Sequence, residues 1–214
     1  MKLNKPCFLY LVALMLGSCL ITQSSLAVGQ NLGLIATQKA VINTDLGPIE
    51  IELYGDNAPV TVENFIRYIQ AGAFKNGRFY RVVRLDNDNG SPQIEVIQGG
   101  ANPDFKGFEA ILLETTKQTG IKHLDGMISM ARGAPNSATS EFFICVGAQP
   151  ALDFEAKRNP DGQGFAAFGR VVNGMQIVKK IHQTREALDV DDDYVKGQIL
   201  AKPVAISSVM LINN

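Results

Sequence analysis

Few side chains in this chain are placed to do covalent chemistry. A nucleophile needs a base beside it, and the 214 residues offer only two histidines, His123 and His182. The first falls in a loop and the second at the end of a helical pattern, and neither sits in a nucleophile or metal-ligand spacing. Cys145 lies inside the apolar run Phe142-Phe143-Ile144-Cys145-Val146, a setting that hides the sulfur and disfavours the thiolate. Asp191–Asp193 lack the glycine and closing glutamate of a calcium loop. Gly99-Gly100 lack the lysine and helix start of a phosphate cradle, so a bulge or turn is expected there. The pattern speaks against a hydrolase or a metalloenzyme and implies no cofactor and no metal. What remains is Arg81, one charge inside the apolar strand Phe79-Tyr80-Arg81-Val82-Val83. Composition alone reads it as an outward-facing strand residue, or as an arginine snorkelling past core to water.

The elements around these residues are mostly short strands. Met127–Ala131 and Phe142–Val146 are two apolar runs joined by the polar loop Arg132–Glu141. A strand period of two sends Phe142 and Phe143 to opposite faces, so one fills the core and the other needs a second apolar environment, such as a pocket. Ala40–Thr44 and Pro48–Leu53 read as a hairpin around Asp45-Leu46-Gly47. Pro59 opens a helix whose stripe is Val62, Phe65, Ile66 and Ile69, and Gly72 stops it. Phe79–Leu85 and Val96–Gln98 pair around the loop Asp86–Glu95. After a loop over 147–164 come strand Phe165–Val172, helix Met175–His182, polar loop Gln183–Gln198 and closing strand Val204–Ile212. Many strands and two helices predict a mainly β chain, a closed barrel rather than a doubly wound sheet.

The net charge of −1 is spread over mixed signs, which excludes a nucleic-acid footprint. Lys2 and Lys5 precede the apolar run Phe8–Leu16 and then small and polar residues to Ala27, the layout of a secretory signal. Two cleavage sites compete. Ser25-Leu26-Ala27 releases a soluble protein, whereas Leu16-Gly17-Ser18-Cys19 resembles a lipoprotein signal with Cys19 as lipid anchor. The expected organisation is a signal over 1–27 (or 1–18), a flexible lead-in over 28–38 and one domain over 39–214. Either cleavage makes the chain an exported one. Cys145 is then the one cysteine left besides a lipidated Cys19, so no disulfide framework is expected.

Phe79–Val83, Gln98-Gly99-Gly100, Ser129-Met130-Ala131-Arg132 and Ser140-Glu141-Phe142-Phe143-Ile144, in that order, resemble the cyclophilin family of peptidyl-prolyl isomerases. Ala58–Phe65, Ala151-Leu152-Asp153 and Phe168–Met175 extend the similarity over about residues 40–212, and exported bacterial cyclophilins look nearest. The resemblance implies a closed eight-stranded antiparallel β-barrel capped by two α-helices, with a substrate groove on its outer face. It implies catalysis by Arg81, steadied by Gln98, with Phe143 and Leu152 forming the proline pocket and Ala131 and Arg132 the rail for peptide backbone. Tyr80, Val96, Glu141 and Phe165 complete the substrate-binding set by the same resemblance. The partners implied are proline-containing polypeptides and unfolded exported proteins in the periplasm, met by a monomer.

Departures from the family pattern cluster at the groove. Tyr80 replaces the usual histidine, and Glu141 stands in place of a glutamine, which by the resemblance puts a carboxylate near the groove and near Arg81. The loop Asp86–Glu95 is longer than the family's turn and puts Glu95 and Val96 where a Phe-Met pair is usual; Ile94 is a candidate for the missing apolar contact. Ala151 and Phe165 replace a tryptophan and a histidine, which implies weakened affinity for a cyclosporin-type ligand. Two other readings compete: a module that holds proline-bearing segments without turnover, and a lipid-anchored scaffold with a relic groove.

Overall fold

The computed structural model describes residues 37–212. The leader, both cleavage sites and nearly all of the expected lead-in lie outside the described residues. Strand β1 (Gln38–Thr44) and strand β2 (Gly47–Leu53) form the expected hairpin. Ala40 pairs with Ile51 and Ile42 with Ile49, and all four are fully buried, as alternation requires of a sheet with one inner face. Helix α1 (Pro59–Gln70) buries Val62, Phe65, Tyr68 and Ile69. Its first amides are satisfied from elsewhere: the Glu114 carboxylate accepts from the N–H groups of Val60 and Thr61 at 3.1 and 2.8 Å.

Strands β3 (Gly77–Val83), β4 (Val96–Gly100), β5 (Met127–Met130), β6 (Phe142–Cys145), β7 (Ala166–Asn173) and β8 (Ile199–Ile212) complete the sheet. Their spatial order β1-β2-β7-β5-β6-β4-β3-β8 closes, because β8 pairs with both β3 and β1. Every ladder is antiparallel, and closure leaves no free edge. The expected barrel is the observed one. Helix α2 (Thr116–Thr119) is a single turn, held by a capping box between Thr115 and Gln118. Helix α3 (Met175–His182) buries Val178 and Ile181. Phe142 meets Phe65, Phe74 and Phe79 edge-on at 5.6, 5.9 and 5.6 Å, which ties α1 to the barrel interior.

Strand β8 starts five residues earlier than its apolar pattern suggests. It pairs Ile199 with Arg81 and Val204 with Phe79, so the residues between them bow out of register. Pro203, which has no N–H to give a ladder, lies in that irregular stretch.

The loop 86–95 is anchored rather than loose. Asp88 and Arg158 form a two-pronged ion pair, Oδ2 to Nη1 at 2.7 Å and Oδ1 to Nη2 at 2.8 Å, with side chains 0% and 2% exposed. The amides of Gly90 and Ile94 also donate to the Asp88 carboxylate, and Arg158 Nη1 donates to the Pro92 carbonyl. A Cβ at Gly90 would collide with the guanidinium. Burial alone would raise the Asp88 pKa, but Arg158 and the two amides outweigh it and hold the carboxyl below the usual carboxylate range. This stabilisation is therefore present above about pH 4 and is lost as acid titrates the group. Asp88→Asn leaves a buried guanidinium without its counter-charge, and urea unfolding at pH 7 is expected to show a loss of about 3–5 kcal/mol. The gap between variant and wild type should close below about pH 4; equal stabilities at pH 7 would contradict the anchor.

Candidate active site

The ladder between β3 and β4 sets two residues against one. Phe79 pairs with Gly99 and Arg81 with Gln98, which leaves Tyr80 as the extra residue of a β-bulge. The irregularity expected at Gly99-Gly100 thus lies on the strand opposite them. Gly99 permits the close approach, since a Cβ there would stand 2.7 Å from the Arg78 carbonyl oxygen. The bulge sets the pairing that puts Arg81 directly across from Gln98 on the barrel's outer face.

Arg81 is held from two sides. Its Nη1 donates to Gln98 Oε1 at 3.1 Å, and its Nε and Nη2 both donate to Gln198 Oε1 at 2.9 and 2.6 Å. A guanidinium carries five N–H donors; with three engaged, one remains on each terminal nitrogen. Gln98 is oriented in turn, since its Nε2 donates to the Tyr80 hydroxyl at 2.8 Å. Among the described residues no carboxylate forms an ion pair with Arg81. The Tyr194 ring lies beside it, with 5.3 Å from the guanidinium carbon to the ring centre.

Beside Arg81 is a cavity of about 130 Å³. Eight of the ten residues picked out by sequence line it: Arg81, Gln98, Phe143, Val96, Ala131, Arg132, Leu152 and Phe165. Val83 and Ile94 extend its apolar wall. Phe143 points away from the core that Phe142 fills, and meets Phe165 edge-on at 5.3 Å. The ladders of β5 end at Met130, so the backbone of Ala131 and Arg132 runs past the sheet beside the cavity. The Arg132 side chain is bound to Asp161 at 2.8 Å and to the Gly164 carbonyl, and packs 5.2 Å from the Phe165 ring centre.

Tyr80 and Glu141 do not line the cavity. Tyr80 stands behind Gln98, and Glu141 packs against Gly100, where any Cβ would collide with its carboxylate. Glu141 and Arg81 form no ion pair among the described residues. Burial raises the Glu141 pKa, outweighing hydrogen bonds from Tyr80 and Gln98, and among the described residues its Oε2 is buried without a hydrogen-bond partner. Burial, then the adjacent Glu141 carboxylate, pushes the Tyr80 phenol up as well.

His123 does fall in a loop, but it is 1% exposed, with Nδ1 2.8 Å from Asp153 Oδ1 and Nε2 3.0 Å from Ser129 Oγ. This is the order of a nucleophile, base and orienting acid, yet Ser129 is fully buried and meets no substrate. Asp153, held below the ordinary carboxylate range by His123 against its own burial, can only accept. Nδ1 therefore carries a proton, and the ring stacks on Phe143 at 6.0 Å and 17°. The assembly braces the cavity floor. Cys145 is fully buried, and burial raises its thiol pKa.

Gln198, Tyr194 and Arg158 also belong to this site and went unremarked in the sequence. Gln198 is 1% exposed although it ends a polar loop; its position beside the apolar residues that open β8 is the one local signal.

The profile of the family described as cyclophilin type peptidyl-prolyl cis-trans isomerase/CLD matches residues 39–209. Peptidyl-prolyl cis-trans isomerase B of Escherichia coli is 34% identical over 175 residues, covering 77% of this chain and 97% of that one. Peptidyl-prolyl cis-trans isomerase A of Dickeya dadantii is 32% identical over 174 residues, covering 80% and 83%. A crystal structure of a Cryptosporidium parvum cyclophilin type isomerase, determined in the presence of the dipeptide Ala-Pro, superposes with a TM-score of 0.62 at 21% identity. It covers 83% of this chain and 100% of its own. With profile, relatives and barrel in agreement, the chain belongs to the cyclophilin-type peptidyl-prolyl cis-trans isomerase family.

Proposed function

We propose that this chain is a working isomerase of X–Pro bonds, with Arg81 as the catalytic residue, Gln98 steadying it and Phe143 under the proline ring. Rotation about a peptide bond must break amide resonance, a barrier of about 18–20 kcal/mol. No covalent step is needed to lower it; the protein must bind the twisted amide better than either planar form. Twisting makes the proline nitrogen pyramidal and returns its lone pair. A guanidinium N–H aimed at that lone pair finds an acceptor only in the twisted state.

The observation that carries this reading is the state of Arg81. Its fork is fixed by two neutral amides, two donors stay unused, and no carboxylate neutralises it among the described residues. Val83, Ile94, Val96, Phe143, Leu152 and Phe165 give the pyrrolidine ring an apolar seat next to that charge. A dry wall strengthens the hydrogen bond when it forms. The backbone of Ala131 and Arg132 beyond the end of β5 can meet a peptide in extended form, with the Ala131 N–H already given to the Glu141 carbonyl at 2.9 Å.

The carboxylates that favour a binder without turnover stand away from the donors of Arg81. Asp86 pairs with Arg84 and Arg185, Asp88 with Arg158, and Glu141 faces Gly100. Glu141 therefore reaches Arg81 only through Tyr80 and Gln98 and does not compete for its donors. The clients in this reading are proline-bearing chains outside the cytoplasm, supported by the basic-then-apolar leader and its two cleavage motifs. The mass of the mature N-terminus separates release after Ala27 from lipidation at Cys19.

Arg81→Ala is expected to lower kcat/KM for a proline tetrapeptide in a protease-coupled assay by at least about tenfold, one charge-assisted hydrogen bond's worth. Turnover near wild type would remove the assignment. Glu141→Gln should leave kcat/KM within about twofold. Because burial raises the Glu141 pKa, the folded state binds its proton more tightly than the unfolded chain, and stability falls as pH rises above about 4. The glutamine variant escapes this loss, so denaturant unfolding should show it roughly 1 kcal/mol more stable than wild type at pH 8, the low end for a buried carboxylate with one oxygen unsatisfied. The two should coincide at pH 4. A variant less stable at pH 8 would contradict this placement of Glu141.

A further inference from the structure

Gln198 occupies an unusual place for a buried amide. It is 1% exposed, and its two ends serve different masters. Oε1 takes the whole Nε–Nη2 edge of Arg81, while Nε2 donates to the backbone oxygen of Asn87 at 2.8 Å. That second bond matters because it decides which end of the amide faces the arginine. With Nε2 committed to a carbonyl, Oε1 is the end left to meet Arg81.

Asn87 is the second residue of the loop 86–95, and it is fixed in its own right. Its Nδ2 donates to the Val82 and Gly197 carbonyls at 3.2 and 2.8 Å, and its Oδ1 accepts from the Arg84 amide at 2.7 Å. One side chain thus ties the end of β3 to the residue preceding Gln198. The backbone repeats the tie, since the Val82 amide donates to the Gln198 carbonyl at 2.9 Å. Farther along the loop, Asp88 is locked to Arg158 and the Asn89 side chain donates to the Lys196 carbonyl at 3.0 Å. Through Asn87 and Asn89 the loop therefore grips the segment carrying Gln198, and the Asn87 bonds bear directly on where Oε1 stands.

We infer that the loop 86–95 is a clamp for the active-site arginine: through Asn87 it sets Gln198, and Gln198 is a positioning residue that fixes the plane of the Arg81 guanidinium. Gln98 alone holds only Nη1, and a fork held at one nitrogen can swing about that contact. The second anchor, on the Nε–Nη2 edge, removes the swing and leaves only the outer hydrogens of the two terminal nitrogens for a substrate. A donor aimed in advance at the twisted amide costs nothing to aim during the reaction. The Asn87–Gln198 link acts on turnover more than on binding, because neither residue belongs to the apolar lining that holds the proline ring. This inference rests on Arg81 being the catalytic group.

The test uses Gln198→Met in the full chain, which keeps an unbranched side chain of similar size but neither accepts nor donates as the amide does. It is compared with Asn87→Ala, the double variant and Arg81→Ala. Steady-state kinetics on a proline tetrapeptide are read together with the Arg81 Nε–H signal in a ¹⁵N spectrum, identified by its absence from Arg81→Ala. Gln198→Met is expected to lower kcat about tenfold with KM within twofold, and to speed hydrogen exchange at Arg81 Nε at least tenfold. Asn87→Ala should lower kcat severalfold, and the double variant should be no slower than Gln198→Met, because both changes act through one contact. A Gln198→Met enzyme with wild-type kcat, beside an inactive Arg81→Ala, overturns the clamp and leaves the role of Arg81 intact. Multiplicative losses in the double variant, or unchanged exchange at Nε, overturn it too. Full activity in Arg81→Ala would overturn the clamp and the parent reading together.

Discussion

Everything in the site depends on a guanidinium kept charged and rigid, with no carboxylate partner among the described residues, at the edge of an apolar hollow. A carboxylate partner would hold Arg81 more tightly, but it would spend the charge on the ground state. Glutamine amides hold it by dipole and leave the field intact. The arrangement costs little because Arg81 is only partly buried and Tyr194 lends it the face of a ring. The other guanidinia at the cavity show the contrast. Arg132 and Arg158 are each matched to an aspartate, and they act as struts.

The barrel supplies the rigidity this requires. Closure means that β3 is paired on both sides, by β4 and β8, so the backbone carrying Arg81 has no free edge along which to shift. The bulge at Tyr80 then adjusts which residue faces which. Its cost is met by glycine at position 99, where the strands approach too closely for a side chain. Beneath the hollow, the chain Asp153–His123–Ser129 keeps Phe143 on a stacked support. Function here is therefore a matter of fixing groups in advance, and the two loops that follow β3 and α3 take part in the fixing as fully as the strands do.

Much of this was legible from local pattern. A period of two assigned Phe142 and Phe143 to different environments, and the structure puts one among core rings and the other on the cavity wall. The stripe on α1 and the hairpin of β1 and β2 followed from equally local signals. The resemblance pointed to eight residues that do surround the cavity. What stayed hidden depends on contacts between distant parts of the chain. Gln198 lies 117 positions from Arg81, and Arg158 lies 70 from Asp88; nothing in a polar loop announces such a partner. The start of β8 was masked by Pro203 and a broken register, which interrupt the apolar rhythm. The nearness of Glu141 to Arg81 that the resemblance suggested fails: the carboxylate packs against Gly100 and beside Tyr80, while Gln98 takes the guanidinium. Helix α2 is different: Thr115 and Gln118 carry the spacing of a capping box in the sequence itself.

The account stands or falls on the rigid fork as well as on its charge. Replacing Arg81 with lysine keeps the charge and removes the planar edge that two glutamines grip. Measured by NMR exchange on a proline peptide at saturating concentration, the lysine variant should catalyse isomerisation at least about tenfold more slowly than wild type. An equal rate would show that a mobile point charge suffices, and would contradict the claim that orientation is what this fold provides.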